Sequence, residues 1–353
     1  MAKCKTLKEK YEEVKSLIDK VDFSLLWNGF KPLRFALYNE DECFFDGNYI
    51  EKTKEFIANT SIKYKDEIIA IWNVMEEIDS NILASKIIHE MFHGYQMLNN
   101  ESRFPDELDA LYKYKYSDEN LSIKLEESKL IVSLVDNFNV NDFNRLLKYR
   151  RYRLTKFPYE FMYEAKIEQI EGTANFVELE SLKQLSINTY LEKLNGLKNR
   201  LLDKNSFFPI RIISYDIGAL LLTIFSDNEI AFNDRFNDEP FSIGIVKDIN
   251  GLPIDITLSF STEIKDYFDK AQSIINKTLE NNVVVVEGEY NLLGFNVYNA
   301  IYFKGYIISM YFVMYGEKAF SKIEYGNFVI RTKEYKKLDK IYKFFAWTHC
   351  KHK

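Results

Sequence analysis

The sequence predicts an α+β fold: a mainly helical centre, preceded by a small sheet and followed by a β-rich part. Three observations predict it. Long stretches between about residues 79 and 275 repeat apolar side chains at helical spacing. Short alternating segments with turn residues occupy residues 31–74. After about residue 280, strand-like segments alternate with Gly288, Gly294, Gly305, Gly316 and Gly326. These changes of texture divide the chain into residues 1–78, with an N-terminal helix and small sheet, residues 79–275, the helical region, and residues 276–353, the β-rich subdomain.

Taken in order, Leu7, Tyr11, Val14, Leu17, Ile18 and Val21 follow helical spacing over residues 5–21, with Lys and Glu between them. Residues 31–50 read as short strands, with Gly47 and Asn48 supplying turn chemistry, and residues 67–74 as another strand. Asp79-Ser80-Asn81 offers N-cap side chains for a long helix reaching about Leu98. Residues 106–156 look helical with breaks, ending at Pro158. Further helices are expected over residues 159–185, 188–202 and 212–225, the last apolar enough to be buried. Strands follow at 283–286, 295–303, 306–315 and 328–332, and a helix over 335–345 closes the chain.

Composition narrows the function classes. The 353 residues are 46% hydrophobic and 28% charged, with only 6 Pro and 13 Gly, which suits a folded globular protein. The net charge of −6, with Lys and Glu interleaved, leaves no basic stripe for nucleic acid, and Lys336-Lys337 reads as a solvated face. The longest apolar runs, residues 212–225 and 305–315, are too short and interrupted for a membrane span. The N-terminal Met1-Ala2-Lys3-Cys4-Lys5 lacks the apolar core of a signal peptide, so a cytoplasmic protein is expected. Cys4, Cys43 and Cys350 are odd in number and far apart, which suggests reduced thiols rather than disulfides or a cysteine zinc site.

Chemistry concentrates at His89-Glu90-Met91-Phe92-His93, which uses two of only four histidines. A chain of this composition meets the HExxH pattern by chance about 0.004 times, and here it falls inside a segment already read as helical. Side chains four apart share a helical face, so both imidazoles can reach one ion. Zinc takes neutral imidazole nitrogen and favours four ligands in a tetrahedron. Glu90 is turned about 100° from His89, so its carboxylate can address a water instead of the metal. Ile87, Ile88, Met91 and Phe92 would bury the other faces, and a polar stripe on a buried helix is costly unless it is used. The competing readings are a hydrogen-bonded pair of core histidines and a purely structural zinc.

A catalytic zinc needs a third protein ligand. The HExxHxxGxxH pattern fails, because position 99 is Asn99 and Gln96 stands where the Gly belongs. The later stretch Glu171-Gly172-x-Ala174-x-Phe176-x-Glu178 resembles the segment that supplies the glutamate ligand in thermolysin-like (gluzincin) zinc peptidases. The resemblance covers these two helices and the strand before them, and implies a zincin-like core with Zn2+ held by His89, His93 and Glu171. Glu164, Glu168 and Glu178 are the rival carboxylates. Small Gly172 and Ala174 would let this helix approach the zinc helix, and Asn175 could hydrogen-bond a ligating histidine. The gap of 78 residues from His93 to Glu171 makes residues 99–160 an inserted helical segment.

The implied reaction is hydrolysis of a peptide or protein substrate, with Glu90 as general base. Tyr215, in Ser214-Tyr215-Asp216-Ile217-Gly218, is the expected donor to the oxyanion, and Arg211 a candidate for binding a substrate carboxylate. Residues 68–74 would be either the edge strand that pairs with substrate backbone in such peptidases or an ordinary core strand. The terminal His349-x-x-His352 with Cys350 reads as a frayed tail able to hold a metal only opportunistically. Two other functions remain open at this point. One is a non-catalytic zinc-binding regulatory protein on a peptidase scaffold. The other is a metal-dependent hydrolase of a non-peptide amide or ester.

Overall fold

A computed structural model describes residues 5–75, 77–250, 254–317 and 320–345; Cys4 and the His349–His352 tail lie outside them. The fold is α+β, as expected. Helix α1 (Leu7–Ile18) opens with a capping box: the Thr6 hydroxyl accepts from the Glu9 N–H, and the Glu9 carboxylate accepts from the Thr6 N–H. Its buried Leu7, Tyr11, Val14 and Ile18 lie on one face. The Tyr11 ring meets Phe35 at 4.5 Å and Phe44 at 5.0 Å, which seats the helix on the sheet that follows.

That sheet comprises β1 (Phe35–Tyr38), β2 (Cys43–Phe45), β3 (Asn48–Ile50), β4 (Thr60–Tyr64) and β5 (Glu67–Asn73), in the order β3-β2-β1-β5-β4. Only β1 and β5 run parallel; the other pairs are antiparallel. The strand expected to form the edge is β5, and it is internal, paired with β1 on one side and β4 on the other. The two edge strands are β3 and β4, and β4, beside β5, is one that the sequence left unassigned. The β4–β5 hairpin turns through Lys65 at φ 53° without the Asn-Gly type of pair that announces such turns.

The helical region begins with α2 (Ser80–Leu98), capped by the Asp79 carboxylate on the N–H groups of Asn81 and Ile82. Residues 99–160, expected as an inserted helical segment, carry α3 (Glu107–Lys113), α4 (Asp118–Asp136) and α5 (Val140–Lys156). Asp106, Ser117 and Asn139 each cap the helix after them, which places the breaks. Pro158 then opens α6 (Pro158–Ile167), which passes through a π-helical turn over Glu168–Gly172 into α7 (Thr173–Leu185). Next come α8 (Ile187–Leu202), α9 (Ile210–Asp227) and the four-residue α10 (Phe241–Gly244). Ile213, Ile217, Leu220 and Leu221 of α9 are fully buried, as its apolar sequence requires. Among the described residues no helix is long and apolar enough to cross a membrane.

Helix α11 (Ser261–Asn281), also unassigned from the sequence, packs Ala271 and Ile275 against the C-terminal sheet. The division expected at 275/276 falls inside this helix, and that at 78/79 falls on the cap of α2. The sheet holds β6 (Val284–Phe295), β7 (Ile301–Phe303), β8 (Tyr306–Ser309), β9 (Phe312–Glu317), β10 (Phe320–Tyr325), β11 (Asn327–Glu334) and β12 (Lys337–Phe344). Their order is β10-β9-β6-β12-β11-β8-β7, all antiparallel. The helix expected over residues 335–345 is therefore strand β12, bonded on both sides. Register shifts after Leu338 and Ile341 break its period-2 alternation, so Leu338, Ile341 and Tyr342 fall at helical spacing instead. The sheet docks on α3, where Tyr112 meets Tyr302 at 4.7 Å and Tyr335 at 5.1 Å. Lys336, expected as part of a solvated face, reaches Asp106 across this junction at 3.3 Å.

Candidate metal centre

Leu83, Ala84, Ile87, Ile88 and Met91 of α2 are fully buried and hold the helix between sheet and bundle. At Gly94 a Cβ would stand 2.4 Å from Leu33 and 2.8 Å from the Ser61 hydroxyl, so only glycine lets α2 lie this close to β4. The same Ser61 hydroxyl donates to the Glu90 carbonyl oxygen at 2.6 Å. With the helix fixed so, His89 and His93 turn their Nε2 atoms to within 3.1 Å of each other.

Glu171 arrives from the π-helical turn, with Oε2 3.4 Å from His93 Nε2. The donor atoms of His89, His93 and Glu171 all lie within 4.8 Å of one another. Tetrahedral zinc ligands at about 2.0–2.1 Å from the ion stand about 3.4 Å apart, so these donors need only small adjustments to share one ion. The surroundings agree. Gln96 donates its amide N–H groups to the Ile170 carbonyl at 2.9 Å and the Thr173 hydroxyl at 3.1 Å. It can therefore offer only its oxygen to His93 Nδ1, 2.8 Å away. That puts a proton on Nδ1 and points the Nε2 lone pair at the metal position. His89 Nδ1 is buried without a hydrogen bond; Glu178 Oε2 is nearest, at 3.3 Å, too poorly aligned to count as one.

Electrostatics follow the same geometry. Burial would lower the pKa of His93, but the Glu171 carboxylate outweighs it and raises the group to about 9. Burial would raise Glu171, but His93 and Arg211 bring it to about 2. Glu178 is likewise held well below the carboxylate range by Lys193 and His89, against the effect of burial. The rise at His93 and the fall at Glu171 have one cause, the contact between the two side chains. The residues fit a divalent transition metal bound by two imidazoles and a carboxylate.

The chain matches no known protein-family profile, no curated protein and no solved structure.

The three expected ligands lie together in a cleft of about 360 Å³. Glu90 and Tyr215, the two residues expected to act on substrate, line the same cleft, as do Thr60 at the start of β4 and Tyr298. Burial and the charge of Glu171 hold the Tyr215 hydroxyl well above its usual acidity range, so it stays protonated and able to donate. Among the rival carboxylates, Glu164 and Glu168 are buried away from the cleft with Arg153, Lys124 and Arg150. Glu178 sits behind His89.

Other expectations need correction. Arg211 is not free to bind a substrate carboxylate: one arm donates to Glu171 at 3.0 Å and another to Glu107, so it braces the Glu171 carboxylate. Asn175 makes no hydrogen bond to either imidazole; Gln96 takes that position at His93, and Glu178 is only a charged neighbour of His89. Gly172 faces α9 rather than α2; a Cβ there would meet Gly218 Cα at 2.7 Å. Gln96 could have been found from its place one turn after His93. Tyr298, in a turn of the distant sheet, carried no such signal.

Proposed function

We propose that this chain is a zinc-dependent peptidase. The reading rests on one observation above all: two imidazole nitrogens of α2 and a carboxylate from the π-helical turn lie within 4.8 Å of one another, with Glu90 beside them in an open cleft. Zn2+ held by His89, His93 and Glu171 would supply Lewis acidity toward the scissile carbonyl and acidify the attacking water. Glu90 takes the proton from that water on its carboxylate and passes it to the leaving amine nitrogen. Tyr215 donates its O–H to the carbonyl oxygen as negative charge gathers there. Arg211 and Gln96 move no proton; they hold Glu171 and His93 in place, and Glu178 sets its negative charge 3.3 Å from His89 Nδ1.

The free edge of β4 supports a peptide substrate over a small amide or ester. It starts at Thr60 in the cleft and offers unpaired backbone groups to an extended chain. A reducing, cytoplasmic setting suits the three separated cysteines.

The test combines metal content with turnover. Purified protein should carry one zinc per chain by elemental analysis and cleave members of a mixed peptide library. Glu90→Gln should keep the zinc and lose about 10²–10⁴ in rate. Full activity in that variant would remove Glu90 from the mechanism, and a zinc-loaded protein that cleaves no peptide would sink the reading.

A further inference from the structure

We infer that Tyr298, carried by the C-terminal sheet, is a positioning residue for Tyr215, so that the sheet forms part of the catalytic unit. The inference rests on the peptidase reading above. The Tyr215 hydroxyl stands 3.4 Å from the Tyr298 hydroxyl, the two rings meet edge-on with centroids 6.4 Å apart, and both side chains line the cleft with the three ligands.

The turn that presents Tyr298 is built to hold its shape. The Asn296 side chain accepts from the Tyr298 N–H at 3.1 Å, and the Asn296 carbonyl accepts from the Asn299 N–H at 3.2 Å. The Asn299 side chain accepts from the Met310 N–H at 3.1 Å. Ser309 receives the Asn296 N–H at 3.3 Å and donates to the Phe312 carbonyl at 2.8 Å. Val297 and Ala300 anchor the same turn in the core of the sheet. Between these anchors Tyr298 is 51% exposed, and its hydroxyl meets Tyr215 across the cleft. A large ring kept half in solvent on so braced a turn contributes little to folding.

Its chemistry lies in the hydroxyl. In the structure the Tyr215 O–H donates to the Tyr298 oxygen; when Tyr215 turns that single O–H to the substrate oxygen, its own lone pairs are left facing Tyr298. Tyr298 can then donate to the Tyr215 oxygen, and a chain of two hydrogen bonds polarises both. Tyr298 thereby sets the rotation of the Tyr215 hydroxyl without touching the substrate carbonyl.

The test is a double-mutant cycle on the zinc-loaded full-length protein, read with a peptide that the wild type cleaves. Tyr298→Phe should lower kcat by about five- to tenfold, the worth of one neutral hydrogen bond, and leave KM within about twofold. Tyr215→Phe should cost about 10²–10³, as loss of an oxyanion donor does. With Tyr215 already replaced, adding Tyr298→Phe should change nothing further, because its only route to the reaction is gone. Effects that multiply, or a Tyr298→Phe variant with wild-type kcat, would overturn the inference. A second readout needs neither metal nor turnover. In ¹³Cζ-tyrosine NMR spectra of the metal-free protein, Tyr298→Phe should shift the Tyr215 resonance, which is assigned by its loss in Tyr215→Phe. An unmoved resonance overturns the hydroxyl contact itself. A wild type that cleaves no peptide overturns the peptidase reading, and the catalytic role with it.

Discussion

The crossing of the π-helical turn over α9 sets the position of Glu171, and Gly218→Ala tests it. A Cβ at residue 218 would lie 2.8 Å from Gly172 Cα, 2.9 Å from the Glu168 carbonyl oxygen and 3.0 Å from Glu168 Cα. All three are backbone atoms, so no side chain can swing aside. Regaining ordinary contact means widening 2.8 Å to at least 3.4 Å, a separation of about 0.6 Å between two fully packed elements. Alanine favours the helix over glycine by about 1 kcal/mol, whereas overpacking a core costs about 1–3 kcal/mol. A contact that is backbone on both sides belongs at the upper end, so a net loss of about 2 kcal/mol is expected. Glu171 precedes Gly172 directly, so the same displacement should weaken zinc by about tenfold or more, as loss of outer support around a metal ligand does. Urea denaturation gives the first quantity, and competition with a chromophoric chelator the second. Gly196→Ala is the control of opposite sign. Its nearest heavy atom is the mobile end of Arg200 at 3.8 Å, and the change should stabilise by up to about 1 kcal/mol. Wild-type stability and zinc affinity in Gly218→Ala would refute the account of this crossing.

The raised pKa of His93 makes zinc affinity depend on pH. Below about pH 9 the metal-free imidazole holds a proton that the ion must displace. Apparent affinity should therefore climb about tenfold per pH unit from 6.5 towards 9 and then level off, with about one proton released per zinc at pH 7.5. A flat profile in competition titrations would remove the His93–Glu171 pairing. In the metal-free fold the sign reverses: the stabilisation from protonated His93 is complete below pH 6.5 and lost as pH rises through 9. Farther from the metal, Glu164→Gln should destabilise by about 3–5 kcal/mol in urea at pH 7, because it leaves a buried positive charge unmatched. A loss under about 1 kcal/mol would mean that water or relaxation already screens that interior.

What could be read from the sequence was what the chain encodes locally. His89 and His93 stand one turn apart on a helix whose apolar face and Asp79 cap are written in consecutive residues, so ligand spacing and helix support each other. Glu171 was legible because small and acidic residues follow it in a recognisable order. The elements that escaped depend on distant partners. Strand β4 is an edge only because β5 pairs with β1, more than thirty residues earlier in the chain. Strand β12 hides its alternation behind two register shifts that only β6 and β11 define. Helix α11 has a polar outer face, and its buried stripe is short. Tyr298 is one of 24 tyrosines and reaches the cleft through tertiary docking alone. The small size of Gly172 announced a close approach but not to which helix, and the neighbour is α9.

That break explains how one stretch of helix serves two interiors. On a regular α-helix Glu164, Glu171 and Glu178 are seven residues apart and would share a face. Here Glu164 and Glu168 face a buried ionic cluster, while Glu171 and Glu178 face the histidines of α2. The π-helical turn over Glu168–Gly172 accommodates one extra residue, which rotates everything after it by about 100°. The cluster behind it is charge-balanced, with Lys124, Arg150 and Arg153 against Glu127, Glu164 and Glu168, all essentially inaccessible to water. Within it Arg153 is the dominant partner of Glu164, reaching both carboxylate oxygens at 2.6 Å. Lys124 is the weaker one, since burial pulls its pKa down despite the same carboxylate. Two guanidinium groups on α5 thus clamp the helix just before the turn, and the Gly172–Gly218 contact clamps it just after. Glu171 lies between these fixed points, so the fold itself aims its carboxylate at the two imidazoles, which is the preorganisation that the proposed metal site would need.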